Sequence, residues 1–271
     1  MDTTLILELA LARRLELAEA QAAVDSAEAL RRRRADSGAA VEPIAGGYAV
    51  YCGAGSPLTQ AVGLGLGGPV SEEEFARLEE FYRVRQEPVR VETCPLADAS
   101  LIEQFGKHGY RVTEFTNVMA RLIKDCASWP DPPPGVSIQR VATNELSHWA
   151  LTVAQGFAQS HAITPELLEV MELFGGGPHA ECYLAYVDEK ASGGAALSIR
   201  EGIAGLFGAS TLPEFRGRGV QTALLHARLA RAAEAGAELA MCLAQPGSTS
   251  QRNVVRQGFQ VLYTRVKFEK G

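Results

Sequence analysis

The stretch Thr211-Leu212-Pro213-Glu214-Phe215-Arg216-Gly217-Arg218-Gly219-Val220-Gln221-Thr222-Ala223-Leu224-Leu225 decides the fold of the C-terminal half. It joins a predicted strand to a strong predicted helix that ends near Ala235. Glycine lets the backbone approach a ligand closely, and the unpaired N–H groups at a helix start attract anions. The arginines add positive charge. The stretch therefore predicts a phosphate or pyrophosphate site, although a plain glycine-rich connection has the same pattern.

The residues around this stretch predict an α/β (α+β) fold with a mixed sheet and helices against its faces. From Val136 to Phe268, periodicity and turn residues give the order strand, two helices, three strands, helix, strand, helix, strand. The predicted strands include Ala204 to Thr211 and Leu239 to Leu243, and a short helix runs from Ser250 to Gln257.

Two motifs in this order resemble the GNAT N-acetyltransferases. Residues 213–219 are similar to the family's Gln/Arg-x-x-Gly-x-Gly/Ala motif after the fourth strand, and Gly258-Phe259 is similar to its closing Gly-Phe. The resemblance covers the C-terminal half in order. It implies acetyl-CoA as co-substrate, no metal, and a small-molecule amine as acceptor, which attacks the thioester directly.

The resemblance also implies a set of cofactor contacts. The amides of residues 217–221 would hold the CoA pyrophosphate, and the strand end before them would pair with the pantetheine arm. Two polar residues of the later helix would line the cofactor side, although local hydrogen bonds at a helix start explain them equally well. The predicted cofactor-binding residues are Ser210, Thr211, Leu212, Arg216, Gly217, Arg218, Gly219, Val220, Gln221, Ser250 and Asn253.

The sequence departs from the family at three places. Gln221 stands where most members have Gly or Ala, and Val254 stands where many have the Tyr that protonates the leaving thiolate. The strand from 202 to 211 contains no carboxylate to relay a proton from the amine. The catalytic residues therefore stay unknown. Tyr263 and His161 are candidates to replace the missing acid and base; the alternative is that Tyr263 serves packing and that His161 lies in a solvated loop. These losses also keep a non-catalytic acyl-CoA sensor open as the alternative function.

The N-terminal half resembles a second, degenerate copy of the same fold. Gln104 to Tyr110 repeats the pattern of a short helix, a Gly-aromatic turn and a strand seen at the end of the chain. The predicted domains are residues 1–127, with a long helix over 3–34, a Pro-rich linker over 128–135, and residues 136–271. We expect the first domain to pack against the active half.

A rival interpretation concerns the glycine-rich stretch of the N-terminal half. Gly63, Gly65 and Gly68 satisfy G-x-G-x-x-G, and Glu92 lies at the distance where a dinucleotide site has an acid. Pro69 and Val70 intervene before the predicted helix, however, whereas the dinucleotide motif runs directly into its helix. We therefore expect no nucleotide site there.

Composition limits the partners. The chain has 271 residues and a net charge of −6, which suits two domains and argues against nucleic acid or an anionic membrane. The basic run from Arg31 to Arg34 fits the end of a helix, where cations favour the dipole. Five dispersed cysteines, Cys126 among them, indicate neither a metal site nor disulfides.

Sequence features also predict the cellular compartment of the protein. The reduced cysteines favour the cytoplasm, the N-terminus lacks the features of a signal peptide, and no apolar run is long enough for a bilayer. The assembly is left open between a monomer and a homodimer.

Overall fold

The computed structural model describes residues 5–123, 129–158 and 161–271. Its strands are β1 (Ala40–Ile44), β2 (Gly47–Tyr51), β3 (Gln60–Val62), β4 (Val89–Thr93), β5 (Arg111–Leu122), β6 (Val136–Arg140), β7 (Ala180–Val187), β8 (Lys190–Arg200), β9 (Ile203–Thr211), β10 (Leu239–Ala244) and β11 (Gln260–Lys270). Its helices are α1 (Leu9–Arg33), α2 (Glu72–Arg83), α3 (Ala99–Lys107), α4 (Leu146–Ala158), α5 (Pro165–Gly175), α6 (Val220–Glu234) and α7 (Thr249–Val255). The predicted α+β class, with mixed sheets flanked by helices, is confirmed.

The chain forms two compact units. The first combines the chain up to Ala120 with Leu243–Gly271, and the second is Arg121–Cys242. In the first unit the strand order is β1-β2-β3-β4-β11-β5, in which only β3 and β4 are parallel to each other. Buried side chains of the α2 and α3 helices, Phe75 and Phe105 among them, pack together on this sheet.

The final strand requires a correction to the predicted domains. We predicted that residues 136–271 form one domain, but β11 pairs antiparallel with β4 and β5, both from the N-terminal half. Phe268 of β11 stacks on Phe105 of α3, with ring centroids 4.4 Å apart. Strand pairing is decided by tertiary contacts, so the continuous division over 1–127, 128–135 and 136–271 does not follow the compact units.

The second unit has the strand order β10-β9-β8-β7-β6. The β9 and β10 strands are parallel, and the other neighbours are antiparallel. Trp149 of α4 is completely buried and donates its indole N–H to the carbonyl of Ala195 on β8 at 3.1 Å. This bond fixes α4 against the sheet beside β9.

Several local predictions differ from the structure. Within the described residues the long helix begins at Leu9, because the backbone of Glu8 before it is extended, and Leu5 donates its N–H to the side chain of Gln260. The β3 strand ends at Val62, because Gly63 adopts a left-handed conformation. The sequence pattern missed β1, since Pro43 argues against a strand, but an edge position tolerates proline.

Other predictions are confirmed or lie outside the described residues. Arg31, Arg32 and Arg33 occupy the last turn of α1, as the helix-end interpretation required. The start of the linker at Ser128, the first residues of the predicted long helix, and Cys126 are among the residues that the structure does not describe. None of the described helices is both long and apolar enough to cross a membrane.

Candidate functional site

The candidate site is the loop between β9 and α6. Gly217 has a φ of 77°, and Gly219, the residue that caps α6, has a φ of 80°. Only glycine adopts these left-handed conformations without strain, so the two glycines give the loop its path. The first N–H groups of the helix point out of its end, as the geometry of every α-helix requires.

The start of α6 differs from the starts of four other helices in this chain, and α1 likewise has no side-chain cap at Glu8. Ser71, Asp98, Thr164 and Ser248 each cap a helix with a side-chain oxygen that accepts a backbone N–H. Gly219, which begins α6, has no side chain to make this bond. Because uncapped N–H groups and the helix dipole both favour a negative charge, this end of α6 is suited to an anion.

The two arginines of the loop are held by neighbouring protein groups. Arg218 forms an ion pair with Asp188, in the turn between β7 and β8, at 3.0 Å. Arg216 reaches back to the carbonyls of Thr211, at 3.4 Å, and Gly156 on α4, at 3.5 Å. Both arginines are exposed, so the bonds are weak enough to be exchanged for a phosphate.

The strand that leads into the loop contains a bulge. The β8–β9 register shifts between the pairs Ala196–Phe207 and Gly194–Ser210, and Gly208 there has a φ of 59°. After the bulge, the N–H of Leu212 donates to the carbonyl of Ser192 at 2.9 Å. Bulges re-aim the backbone beside functional sites, and this one turns the end of β9 toward the loop.

The other edge of β9 is open beyond its first half. The parallel pairing of β9 with β10 covers the residues from Ile203–Leu239 to Leu206–Cys242, and no further pair is present within the second unit as described. The N–H of Leu212 points to β8, so the alternation of the strand leaves the N–H and C=O of Thr211, between Ser210 and Leu212, facing this open edge. Thr211 lies in the segment that the sequence predicted to pair with the pantetheine arm.

The α4 helix holds the end of β9 in place. Ser210 donates its hydroxyl to the carbonyl of Val153 at 2.9 Å. A Cβ at Gly156 would lie 2.4 Å from the Ser210 hydroxyl oxygen, so only glycine permits this approach. The ring of Trp149 packs against the bulge. A Cβ added at Gly208 would lie 3.4 Å from this ring.

The remaining predicted residues belong to different compact units. Val220 is buried and Gln221 is partly buried in the first turn of α6. Ser250 and Asn253, however, lie on α7, which belongs to the first unit, so their contact with the cofactor stays a prediction. Val254, at the position of the usual Tyr, is a buried core residue.

Neither proposed substitute acid gains support. The hydroxyl of Tyr263 donates to Oε1 of Glu16 at 2.7 Å inside the first unit, and burial raises its pKa. A proton so held is not available to a leaving thiolate. His161 is exposed, and its Nδ1 lies 3.3 Å from the carbonyl of Ala158.

The glycine-rich stretch of the N-terminal half is occupied by protein. The carbonyl of Gly65 accepts a hydrogen bond from the N–H of Asp98 at 2.8 Å, and the N–H of Gly65 donates to the carbonyl of Ala45. Arg13 of α1 donates to the carbonyl of Leu66 at 2.6 Å. Of these bonds, the one from the Gly65 N–H uses a donor that a pyrophosphate would need.

Sequence reasoning missed one contact at the loop. A Cβ at Gly219 would lie 2.7 Å from Cγ of Pro133, so the linker packs against the residue that starts α6. Proline runs signal an extended path, but nothing in them indicates which helix they touch. Within the described residues, no group of His, Cys, Asp or Glu is arranged to hold a metal ion.

Comparison with known proteins identifies the second half of the chain. Residues 144–259 match the model of the acetyltransferase (GNAT) family. These residues belong to the GNAT family. The matched segment contains the β9–α6 loop, so the sequence resemblance is confirmed on the residues that carried it. No curated protein matches the sequence.

Solved structures extend the likeness to the whole chain. A GCN5-related N-acetyltransferase from Kribbella flavida has 18% identity and a TM-score of 0.66, and the match covers 93% of this chain and 95% of that one. A tandem GNAT protein from the clavulanic acid biosynthesis pathway has 16% identity and a TM-score of 0.61, and the match covers 90% of this chain and 87% of that one. At such identities the likeness shows the fold: the chain has the architecture of a tandem GNAT protein.

Proposed function

We propose that this GNAT acetyltransferase transfers an acetyl group from acetyl-CoA to a primary amine of a small molecule. The observation that carries the proposal is the start of α6, where two left-handed glycines precede the helix and the N-cap glycine has no side chain to cap it. A diphosphate is the group of CoA that such an end favours. The open edge of β9 supports the placement of the pantetheine arm along Ser210 to Leu212.

The proposed chemistry is direct attack of the amine on the thioester carbonyl. The usual acid and base are absent from positions 254 and 202–211, so the reaction relies on proximity and on a carbonyl polarised by strand N–H groups. Catalysis of this kind leaves deprotonation of the amine to solvent. We therefore expect the rate to rise with pH toward the pKa of the acceptor amine.

Calorimetric titration with acetyl-CoA and with NAD tests the cofactor. Binding of acetyl-CoA and not of NAD supports the proposal, and the reverse result contradicts it. Gly217→Ala is the informative variant, because it adds a Cβ in the loop where no atom of the described chain lies within 4 Å. We expect it to weaken acetyl-CoA binding at least about tenfold by blocking the approach of the diphosphate.

Gly236→Ala is a matched control for this variant. Gly236 ends α6 with a φ of 74°, close to the 77° of Gly217, and it also has no described atom within 4 Å of the added Cβ. Both substitutions cost the same backbone strain, about 1–2 kcal/mol. Equal acetyl-CoA affinity in the two variants would show that the loop does not bind the diphosphate.

The alternative function is a sensor that binds acyl-CoA without turnover. The observation that favours it is the buried Val254 at the position of the usual proton donor. Release of CoA thiol, measured across a library of primary amines, separates the two. Turnover with any amine supports the enzyme, whereas tight binding with no thiol release on any acceptor supports the sensor.

A further inference from the structure

The arginine that precedes the N-cap of α6 is held by a carboxylate of this chain. Nη2 of Arg218 donates to Oδ2 of Asp188 at 3.0 Å. The two side chains are 45% and 68% exposed, so solvent and a ligand reach both of them. At the neighbouring Gly217, an added Cβ would meet no atom of the described chain within 4 Å, which leaves room for an anion beside the loop. Asp188 therefore occupies an accessible N–H group of the loop.

A tight turn places the Asp188 carboxylate. Asp188 and Glu189 are the two residues between β7 and β8, and Val187 pairs with Lys190 across the turn. Their φ angles are 48° and 66°, and a type I′ hairpin turn has a positive φ at both central residues. The turn is therefore short and its backbone is restricted, so the Asp188 side chain starts from a fixed point.

The linker holds the other side of Asp188. The N–H of Asp188 donates to the carbonyl of Gly135 at 3.1 Å. A Cβ at Gly135 would lie 3.1 Å from Oδ1 of Asp188, so this oxygen packs against the linker while Oδ2 accepts from Arg218. Exposed ion pairs are weak partly because two long side chains lose their freedom. Since Asp188 is short and already restrained, its pair with Arg218 loses less.

A phosphate on Arg218 meets this carboxylate in one of two ways. If Asp188 keeps its hydrogen bond, two anions share one guanidinium and lie closer together than the Debye length of about 8 Å, so salt screens their repulsion only in part. If Asp188 leaves, its ion pair with Arg218 is lost. Either route lowers the affinity of the loop for a diphosphate. Asp188 thus opposes the anion binding that the helix start favours.

We propose that Asp188 is a built-in competitor for the diphosphate of the coenzyme. Its carboxylate holds Arg218 until acetyl-CoA binds, and then the phosphate takes its place. Acetyl-CoA and CoA carry the same diphosphate, so Asp188 weakens the binding of both and speeds the release of the CoA product, a step that limits turnover in many enzymes. Asp188 acts through Arg218 and takes no part in acetyl transfer itself. The inference rests on the proposed function, because it requires that the loop binds the coenzyme.

Calorimetric titration of the full chain with acetyl-CoA, CoA and inorganic pyrophosphate tests the proposal. Asp188→Asn removes the charge, and asparagine suits the positive φ of the turn. We expect the variant to bind all three ligands about two- to fivefold more tightly, which is the range of an exposed ion pair. Equal or weaker binding would overturn the proposal. Tighter binding of acetyl-CoA without tighter binding of pyrophosphate would also overturn it, because the effect would then lie away from the diphosphate.

Glu189→Gln is the matched control. Glu189 has the same charge in the same turn, but among the described residues Arg218 pairs with Asp188 and not with Glu189. We expect this variant to bind acetyl-CoA nearly as the unmodified protein does. Equal tightening in the two variants would show an effect of net charge alone and would refute the competitor.

A double variant tests the route through Arg218. In the Arg218→Gln background, Asp188→Asn should no longer tighten the binding of acetyl-CoA, because the group for which the two anions compete is gone. Tightening that persists there would overturn the role of the pair. Asp188→Gly also suits the turn, and it replaces Asp188→Asn if that variant folds poorly.

The outcomes separate this inference from the proposed function. If the unmodified protein binds acetyl-CoA and Asp188→Asn binds it with equal affinity, the competitor is refuted and the proposed function stands. If neither protein binds acetyl-CoA, both are refuted.

Discussion

Gly219 combines two constraints in one residue. Its φ of 80° disfavours any side chain, and an added Cβ would lie 2.7 Å from the ring of Pro133. We predict that Gly219→Val loses acetyl-CoA binding and lowers the free energy of unfolding by more than the about 1–2 kcal/mol of backbone strain alone. Calorimetric titration and urea unfolding measure the two effects. Gly236→Val, strained but uncrowded, should keep the affinity, and unchanged affinity in Gly219→Val would refute the assignment of the loop.

The buried pair of Glu16 and Arg265 makes a second residue-scale prediction. Arg265→Met leaves a carboxylate that is 1% exposed without its cation, which costs about 3–5 kcal/mol of stability. Adding Glu16→Gln removes that charge, while Tyr263 still has an oxygen to which it can donate. The double variant should therefore unfold at higher urea concentration than Arg265→Met alone. Equal midpoints would show that the pair is not coupled.

At the scale of elements, Glu181 links β7 to α6. Both its oxygens accept from Nε of Arg231, at 3.0 and 3.1 Å, and Arg140 lies 3.4 Å away. Burial opposes the charge of Glu181, but the hydrogen bond from Arg231 and the charges of Arg140 and Arg231 lower its pKa. The stabilisation is therefore complete above the unfolded pKa of about 4.3 and is lost as the pH falls through the lower folded value.

Glu181→Gln tests this link. At pH 7 we expect a loss of about 1 kcal/mol, near the upper end for partly exposed ion pairs, because the arginine is held by two oxygens. The difference from the unmodified protein should shrink as the pH falls below about 4. Urea unfolding at both pH values measures it. Glu80→Gln, which removes a solvent-screened pair with Arg83 on α2, should show a smaller pH-dependent difference.

At the scale of the whole molecule, β11 is the last strand of the chain and an inner strand of the first unit. It lies between β4 and β5, so its removal leaves both without a partner on that side. We predict that deletion of residues 260–271 unfolds the first unit, because the sheet is interrupted and Glu16 loses Arg265. Hydrogen exchange should show lost protection in α1 and β4, with α4, β8 and β9 still protected.

The opposite exchange pattern would contradict this prediction. If the predicted domain of residues 136–271 were the folding unit, deletion would first expose β8 and β9, while α1 and β4 stayed protected. A fragment of residues 131–271 provides the complementary measurement. It retains β11 without β4 and β5, so we expect an exposed strand that self-associates, visible by size-exclusion chromatography.

The sequence by itself determined the β9–α6 loop, because glycines in left-handed positions and a helix start are local properties of neighbouring residues. For the same reason it predicted most helices and the family of residues 144–259. Only the tertiary structure decided that β11 joins the first unit, that Pro133 packs on Gly219, and that Glu16 meets Arg265 across 249 positions of sequence. Those contacts depend on which distant strands and helices pack together, and no local pattern encodes that choice.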